Sequence, residues 1–219
     1  MPILKFPPLV QADENGLLAI GGDLSIDSLL LAYMHGIFPW PINDEYPLAW
    51  FSPDPRGLIE LKDFHLPRSL KKFLKKCDYQ ITYNQAFKEV MLKCQELTNR
   101  TDQDGTWITE EILKAYHDLF LAGFAYSVEC WSDGELIGGL YGVKINRYFS
   151  GESMFYRKEN ASKVVLYSLC QKLDELGVEF LDTQMVTPVV ASLGGREMDR
   201  DEFIKRLQSA IARPLESDF

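Results

Sequence analysis

The sequence predicts an α+β protein, with a small N-terminal α/β domain over residues 1–58 and a larger domain over 59–219 built on a mixed sheet with helices. Three observations carry this prediction. The apolar period is helical in segments up to about residue 122 and becomes strand-like from Ala125. Two strand-like runs, AYSVECW and ELIGGLYGV, are separated by Ser132-Asp133-Gly134, a hairpin signal. An amphipathic segment, ASKVVLYSLCQKLDEL, then stands between two further strand-like runs, so those two strands are expected to be parallel.

The elements follow in order. A helix is predicted from about Ile26 to His35, with Ser25 as cap, Asp27 at the positive end of its dipole and Gly36 as stop. The preceding Gly21-Gly22 lacks the Lys-Ser/Thr of a phosphate loop and the spacing of a dinucleotide loop, so it reads as a tight turn. The stretch FPWPINDEYPLAWFSPDPRG (38–57) is dense in proline and aromatics and is expected to be an ordered irregular loop, with a domain boundary near residue 58. Helices are expected at about 67–76, 84–97 and 109–122, the last capped by Thr109 and closed by Gly123. The hairpin follows, then a third strand near Arg147–Phe155, the helix over 161–176 ended by Gly177, and the strand VEFLDTQMV (178–186). This order is that of an α+β acyltransferase core.

Length and composition narrow the class. A chain of 219 residues with 46% hydrophobic content can bury a sizeable core. The N-terminal MPILKFPPLV is broken by three prolines and no run approaches the roughly 20 apolar residues of a membrane span, so a cytoplasmic protein is expected. Cys77, Cys94, Cys130 and Cys170 form no C-x-x-C pair and read as buried thiols; no metal site or tightly bound cofactor is expected. The net charge of −9 argues against broad nonspecific nucleic-acid binding. One segment reverses that locally: Lys62, Arg68, Lys71, Lys72, Lys75 and Lys76 face a single acid, Asp63, and the spacing of the last four lysines places them on one helix side. A solvated surface or a contact with a polyanion both fit this face.

Two segments hold candidate chemistry. In FLDTQMVTP (180–188), strand alternation puts Asp182 and Gln184 on one side. In GESMF (151–155), alternation groups Glu152 with Met154, and a lone carboxylate in so apolar a strand is costly unless paired or used. His35, His65 and His117 lie near neither segment in the chain, and no G-x-S-x-G elbow marks a serine nucleophile. Leu166, Leu169 and Leu173 form an apolar stripe on the 161–176 helix, suited to a core or to the wall of an apolar pocket.

The chain resembles the leucyl/phenylalanyl-tRNA–protein transferase family through NGLLAIGGDLS, AYMHGIFPW, WFSPDPRG, GTWIT, ELIGGLYGV, GESMF, NASKV, LDTQ and ASLGG, in matching order from residue 15 to 195. The resemblance implies a C-terminal domain of acetyltransferase-like (GNAT-like) fold and transfer of Leu or Phe, less readily Met, from aminoacyl-tRNA to proteins with N-terminal Arg or Lys. Such products enter N-terminal-rule degradation, and aminoacyl-tRNA is a co-substrate rather than a cofactor. By position it implies catalytic roles for Asp182, Gln184 and Glu152, and an aminoacyl pocket of Leu140, Phe149, Leu166, Leu169, Leu173 and Leu181. It implies Trp40 and Trp107 beside the terminal adenosine, where a ring can stack on a base. The basic face of Arg68, Lys71, Lys72, Lys75 and Lys76 is then the expected contact for the tRNA backbone. The chain departs from the family at Thr187-Pro188-Val189, where an Asn-x-His is usual, and at Gly195, where Ala is usual.

Two rivals fit part of the pattern. An acetyl-CoA-dependent N-acetyltransferase shares the element order, but its pyrophosphate turn is glycine-rich and RKENAS (157–162) is not. A noncatalytic protein that grips tRNA ends or basic N-termini is disfavoured by the retained Asp182, Gln184 and Glu152.

Overall fold

The computed structural model describes residues 2–41, 48–96 and 107–215. Near the N-terminus, β1 (Leu17–Ile20), α1 (Ile26–Met34), β2 (Phe38–Pro39) and β3 (Ala49–Phe51) form a helix over a three-stranded antiparallel sheet ordered β1-β3-β2. Ser25 caps α1 as expected, accepting from the Ser28 N–H, and Gly36 ends it at φ +72°. A side chain at Gly36 would meet Ile204 at 2.5 Å, so glycine also serves close approach of the last helix.

The stretch 38–57, expected to be irregular, carries β2, β3 and the first residues of β4 (Arg56–Glu60). Proline is tolerated there because β2 is an edge strand, where a missing N–H breaks no inner ladder. The chain passes from the small sheet to the large one between Phe51 and Arg56, and β4 belongs to the large sheet.

The large sheet has seven strands in the order β10-β4-β9-β8-β7-β6-β5. After β4 come α2 (Arg68–Leu74), β5 (Gln80–Tyr83), α3 (Phe87–Gln95) and α4 (Glu110–Leu121). Next are β6 (Ala125–Ser132), β7 (Glu135–Ile145), β8 (Tyr148–Tyr156), α5 (Ala161–Glu175) and β9 (Phe180–Gln184). The chain continues through α6 (Pro188–Ser192), β10 (Arg196–Met198) and α7 (Arg200–Ile211). The β6–β7 turn is the one read from Ser132-Asp133-Gly134: Asp133 and Gly134 both have positive φ, as a tight hairpin demands. Every pairing is antiparallel except β8–β9, which is parallel across α5. This is the acetyltransferase-like core that the element order implied.

Six segments depart from the sequence reading. Helix α3 starts at Phe87 rather than near 84, because Asn84 takes a left-handed conformation and its side chain accepts from the Ser127 N–H at 2.9 Å. Helix α2 stops at Leu74, short of 76, and residue 97 lies outside the described residues. Strands β5 and β10 and helix α6 are too short to show a clear period, whereas α7, capped by Asp199 and apolar at Phe203, Ile204, Leu207 and Ala210, has one that the sequence reading did not take up.

Apolar residues gather on both faces of the large sheet. One cluster joins Leu29, Tyr33, Phe38 and Trp50 of the small sheet region to Tyr116, Tyr148 and Phe203, so the N-terminal region shares a core with the rest. The other packs Leu70 of α2 and Val165, Leu169 and Leu173 of α5 against Ile59, Phe149 and Leu181.

Candidate active site

The site is made by two strands that part. Strands β8 and β9 pair only at Phe149 with Leu181 and Ser150 with Asp182. Beyond that point β8 stays with β7 as far as Tyr156, and β9 stays with β4 as far as Gln184. A cavity of about 950 Å³ opens in the gap, within the size range of small-molecule sites.

A bulge places Glu152 in that gap. Tyr141 pairs with Ser153 but its neighbour Gly142 pairs with Gly151, which leaves Glu152 as the extra residue of β8. The expected grouping of Glu152 with Met154 therefore fails. Met154 packs toward the α5 cluster, whereas Glu152 turns to the opposite side and meets tyrosines of α1 and α4. Its Oε1 accepts from Ser150 Oγ at 3.0 Å and from Gln184 Nε2 at 3.1 Å, and its Oε2 accepts from Tyr116 Oη at 3.3 Å. Tyr33 hydrogen-bonds Tyr116 and Glu152 behind it. Burial raises the Glu152 pKa to about 7 against these donors, and the charge of Asp182 adds to the rise. The phenols of Tyr33 and Tyr116 are pushed well above their ordinary range by burial and by Glu152, so both remain protonated donors.

Asp182 faces the same side of the sheet as Gln184, as alternation predicted, but its carboxylate is fully engaged below the cavity. Arg56 grips it with two bonds, Nε to Oδ1 at 2.9 Å and Nη2 to Oδ2 at 2.7 Å. Tyr148 Oη donates to Oδ2 at 2.5 Å and the Gln184 backbone N–H donates to Oδ1 at 2.9 Å. Four donors occupy about all the lone-pair sites a carboxylate offers. The Asp182 side chain has 0% exposure and is not among the residues that line the cavity. Arg56, 1% exposed, also donates Nη1 to the Gly36 carbonyl at 3.0 Å and lies between the rings of Phe38 and Phe203, 5.0 and 4.7 Å from their centroids. Burial opposes its charge, yet Asp182 raises its pKa above the ordinary arginine value.

Gln184 stands at the end of β9 with φ +61°, a left-handed conformation uncommon outside glycine. The bond from its N–H to Asp182 fixes that conformation and aims its side chain at Glu152. Gln184 and Glu152 both line the cavity.

The six expected pocket leucines and phenylalanine divide. Leu140, Leu166 and Leu181 line the cavity. Phe149, Leu169 and Leu173 do not; all three are fully buried in the α5 cluster. The helical stripe thus touches the cavity only through Leu166, near the start of α5 where the strands splay, and its later turns run beneath the intact sheet. On the opposite wall Trp40 and Trp107 stand with ring centroids 6.0 Å apart and planes 37° apart, with Phe38 beside them. Val189 lines the cavity where the resemblance led to a histidine, and Thr187 caps α6 by accepting from the Val190 N–H. Gly195 leaves room for Val190: a β-carbon there would lie 2.2 Å from Val190 Cγ1.

Arg68, Lys71, Lys72, Lys75 and Lys76 are exposed and lie outside the cavity, on and just past α2. The cavity rim has its own charges. Glu96 bonds Lys93 Nζ at 3.2 Å and Arg157 Nη2 at 2.9 Å, and all three line the opening. Among the described residues no histidine or cysteine lines it, and burial pushes the Cys130 thiol up to about 12 and the Cys170 thiol higher. Among the described residues no group of three or more His, Cys, Asp or Glu could hold a metal ion. None of the described helices is long and apolar enough to cross a membrane.

Arg56, Tyr33, Tyr116, Tyr148 and Ser150 escaped the sequence reading. Arg56 falls in a proline-rich run that reads as surface loop, and the tyrosines sit in apolar stripes indistinguishable from core. Only the pair of buried carboxylates pointed to them, since a buried charge needs partners.

The central parallel pair of a mixed sheet thus splays over a cavity of mixed apolar and polar lining. The sequence pattern described as leucyl/phenylalanyl-tRNA protein transferase matches residues 58–208, and that of its N-terminal domain matches residues 22–54. Proteins named leucyl/phenylalanyl-tRNA–protein transferase are similar throughout: that of Nitrosomonas europaea is 50% identical over 95% of this chain and 88% of its own. That of Syntrophotalea carbinolica is 48% identical over 96% and 91%, and that of Pseudoalteromonas atlantica 46% over 97% and 91%. The chain belongs to the leucyl/phenylalanyl-tRNA protein transferase family and is an aminoacyltransferase. Among solved structures, L-PGS from Bacillus licheniformis is similar at TM-score 0.43, 12% identity, over 73% of this chain and 50% of that one, a likeness too distant to bear on function.

Proposed function

We propose that the protein transfers Leu or Phe, and less readily Met, from aminoacyl-tRNA to the α-amino group of proteins with N-terminal Arg or Lys, in the cytoplasm, marking them for N-terminal-rule degradation. The observation that carries this reading is one cavity with two unlike ends: aromatic at Phe38, Trp40 and Trp107, apolar at Leu140, Leu166 and Leu181, with the Glu152–Gln184 pair between. An adenosine fits the first, an apolar aminoacyl side chain the second, and the ester joining them falls beside the polar pair. No tightly bound cofactor or metal is required, because the ester is already activated.

The chemistry is aminolysis without a covalent enzyme intermediate. The α-amine attacks the ester carbonyl, a C–N bond forms, the C–O bond breaks, and the terminal ribose hydroxyl leaves. Glu152, poised near neutrality, takes the proton that the attacking amine sheds and returns it to the departing oxygen. Gln184 orients the amine and its amide supports the developing oxyanion, while close placement supplies much of the rate. Asp182 acts beneath them, holding Gln184 in place. Among the described residues no histidine or cysteine lines the cavity, which favours direct attack over an acyl-enzyme on either.

The exposed residues Arg68, Lys71, Lys72, Lys75 and Lys76 serve as a sequence-insensitive contact for the tRNA backbone. The test is transfer of labelled Leu and Phe from charged tRNA to peptides beginning with Arg, Lys, Asp, Glu or Ala. Product on Arg and Lys peptides alone is expected. Product on acidic peptides would overturn the acceptor assignment, and a trapped acyl group on Ser153 or a cysteine would overturn the mechanism.

A further inference from the structure

We infer that Arg56 is a positioning residue for transfer: one buried guanidinium fixes the donor wall of the cavity relative to the Gln184–Glu152 pair. The inference rests on the reading of the site above. Three of its contacts matter. Through Asp182 it reaches the Gln184 N–H, and so the left-handed turn that aims the amide at Glu152. Through Nη1 it holds the Gly36 carbonyl, just past α1, the helix that carries Tyr33. Through its face it stacks on Phe38, which lines the cavity beside Trp40.

Donor and acceptor sides of the reaction come from segments far apart in sequence, and the N-terminal sheet and β9 meet at this side chain. A planar fork is the group for that task. It can make two parallel bonds to a carboxylate, donate a third to a carbonyl and present flat faces to aromatic rings at once; an ammonium can do none of the paired or stacked parts. A buried ion pair is a poor device for stability alone, since apolar replacements of similar volume are often as stable. Its retention at 1% and 0% exposure, directly beneath the polar pair, fits a role in geometry.

The test separates geometry from charge and from folding. Arg56→Lys keeps the positive charge beside Asp182 but loses the fork. Expected is a fall in kcat of roughly 10- to 100-fold, the scale on which misplacement of reacting groups acts. KM for aminoacyl-tRNA stays within about threefold and the acidic limb of the pH–rate profile stays in place, since neither wall chemistry nor local charge has changed. The paired variant Arg56→Met with Asp182→Asn is neutral and packs the site without a buried charge. It is expected to fold, with melting near that of wild type, and to remain as slow as Arg56→Lys. A paired variant with wild-type kcat, or an Arg56→Lys loss confined to KM or reversed by cooling below its melting range, would overturn the inference. A readout independent of activity accompanies these: the Gln184 side-chain amide, bonded to Ser150 and Glu152, is expected to exchange its protons faster in Arg56→Lys than in wild type. Unchanged exchange would equally overturn it. Wild-type protein that fails to transfer from any tRNA sinks the reading of the reaction instead, and leaves the amide measurement to decide on Arg56.

Discussion

Asp182 and Glu152 are two carboxylates on adjacent strands, on the same side of one sheet, and their surroundings are opposite in kind. Asp182 is given a full charge partner and four donors, and has no exposure. Glu152 is given hydroxyls and an amide but, among the described residues, no cation in contact, and it looks into the cavity. The first is an anchor. The second, its pKa raised to about 7 by burial, is the one that the proposed mechanism uses to move a proton. On the proposed mechanism the two carboxylates differ through their partners, and substitution should make the two residues fail in different ways.

The larger effect is expected at the anchor. Asp182→Ala strands the Arg56 guanidinium without a counter-charge, leaves Tyr148 without its acceptor and frees the Gln184 N–H. Breaking a buried pair by removing one partner costs about 3–5 kcal/mol. Urea unfolding should show that loss, together with loss of transfer. An Asp182→Ala protein as stable as wild type but inactive would make Asp182 a direct participant and erase the distinction.

Glu152→Gln is expected to leave the fold intact, because Gln can still accept from Ser150 or Tyr116. Transfer at pH 7 should fall by about 100-fold, the lower end of general-base contributions. The pH dependence gives the sharper reading. Wild-type kcat should decline below pH 7 as Glu152 takes up its proton, and that limb should vanish in Glu152→Gln. Stability carries the opposite sign. A carboxyl whose pKa is raised from 4.5 to about 7 binds more protons folded than unfolded between those values, so this group's contribution to stability is lost as pH rises through that window. Thermal melting from pH 4.5 to 7 should show that decline in wild type and a flatter profile in Glu152→Gln. A limb that survives the substitution would assign the proton to another group.

What the sequence disclosed of this arrangement follows the range of its signals. The hairpin at Asp133-Gly134, the caps of α1 and α4 and the parallel crossover over α5 were legible because a few neighbouring residues decide each of them. Asp182 and Gln184 were legible as a same-side pair for the same reason. Glu152 was placed with Met154 because alternation cannot foresee a bulge, and the bulge is what turns its carboxylate toward Tyr116 and the cavity. Arg56 was invisible because its partner is 126 positions away and nothing nearby marks it as buried. Of the leucine stripe, the period revealed a buried face but not where the sheet splays, which alone decides that Leu166 meets the cavity and Leu169 and Leu173 do not.

The smallest effect belongs to charges that, unlike both carboxylates, stay in water. Lys71, Lys72, Lys75 and Lys76 are exposed, so converting all four to Glu should shift unfolding little, since exposed charges contribute within about 0.5 kcal/mol each. Their consequence should appear only when a long polyanion is the donor. Transfer from full-length charged tRNA is expected to fall at least about tenfold more than transfer from an aminoacyl-adenosine, and the salt dependence of the tRNA reaction should flatten as phosphate contacts are lost. Equal loss on both donors would mean that the face supports the cavity rather than the nucleic acid. It would then belong with Asp182, as part of the frame, instead of standing as a third and purely electrostatic use of charge in this protein.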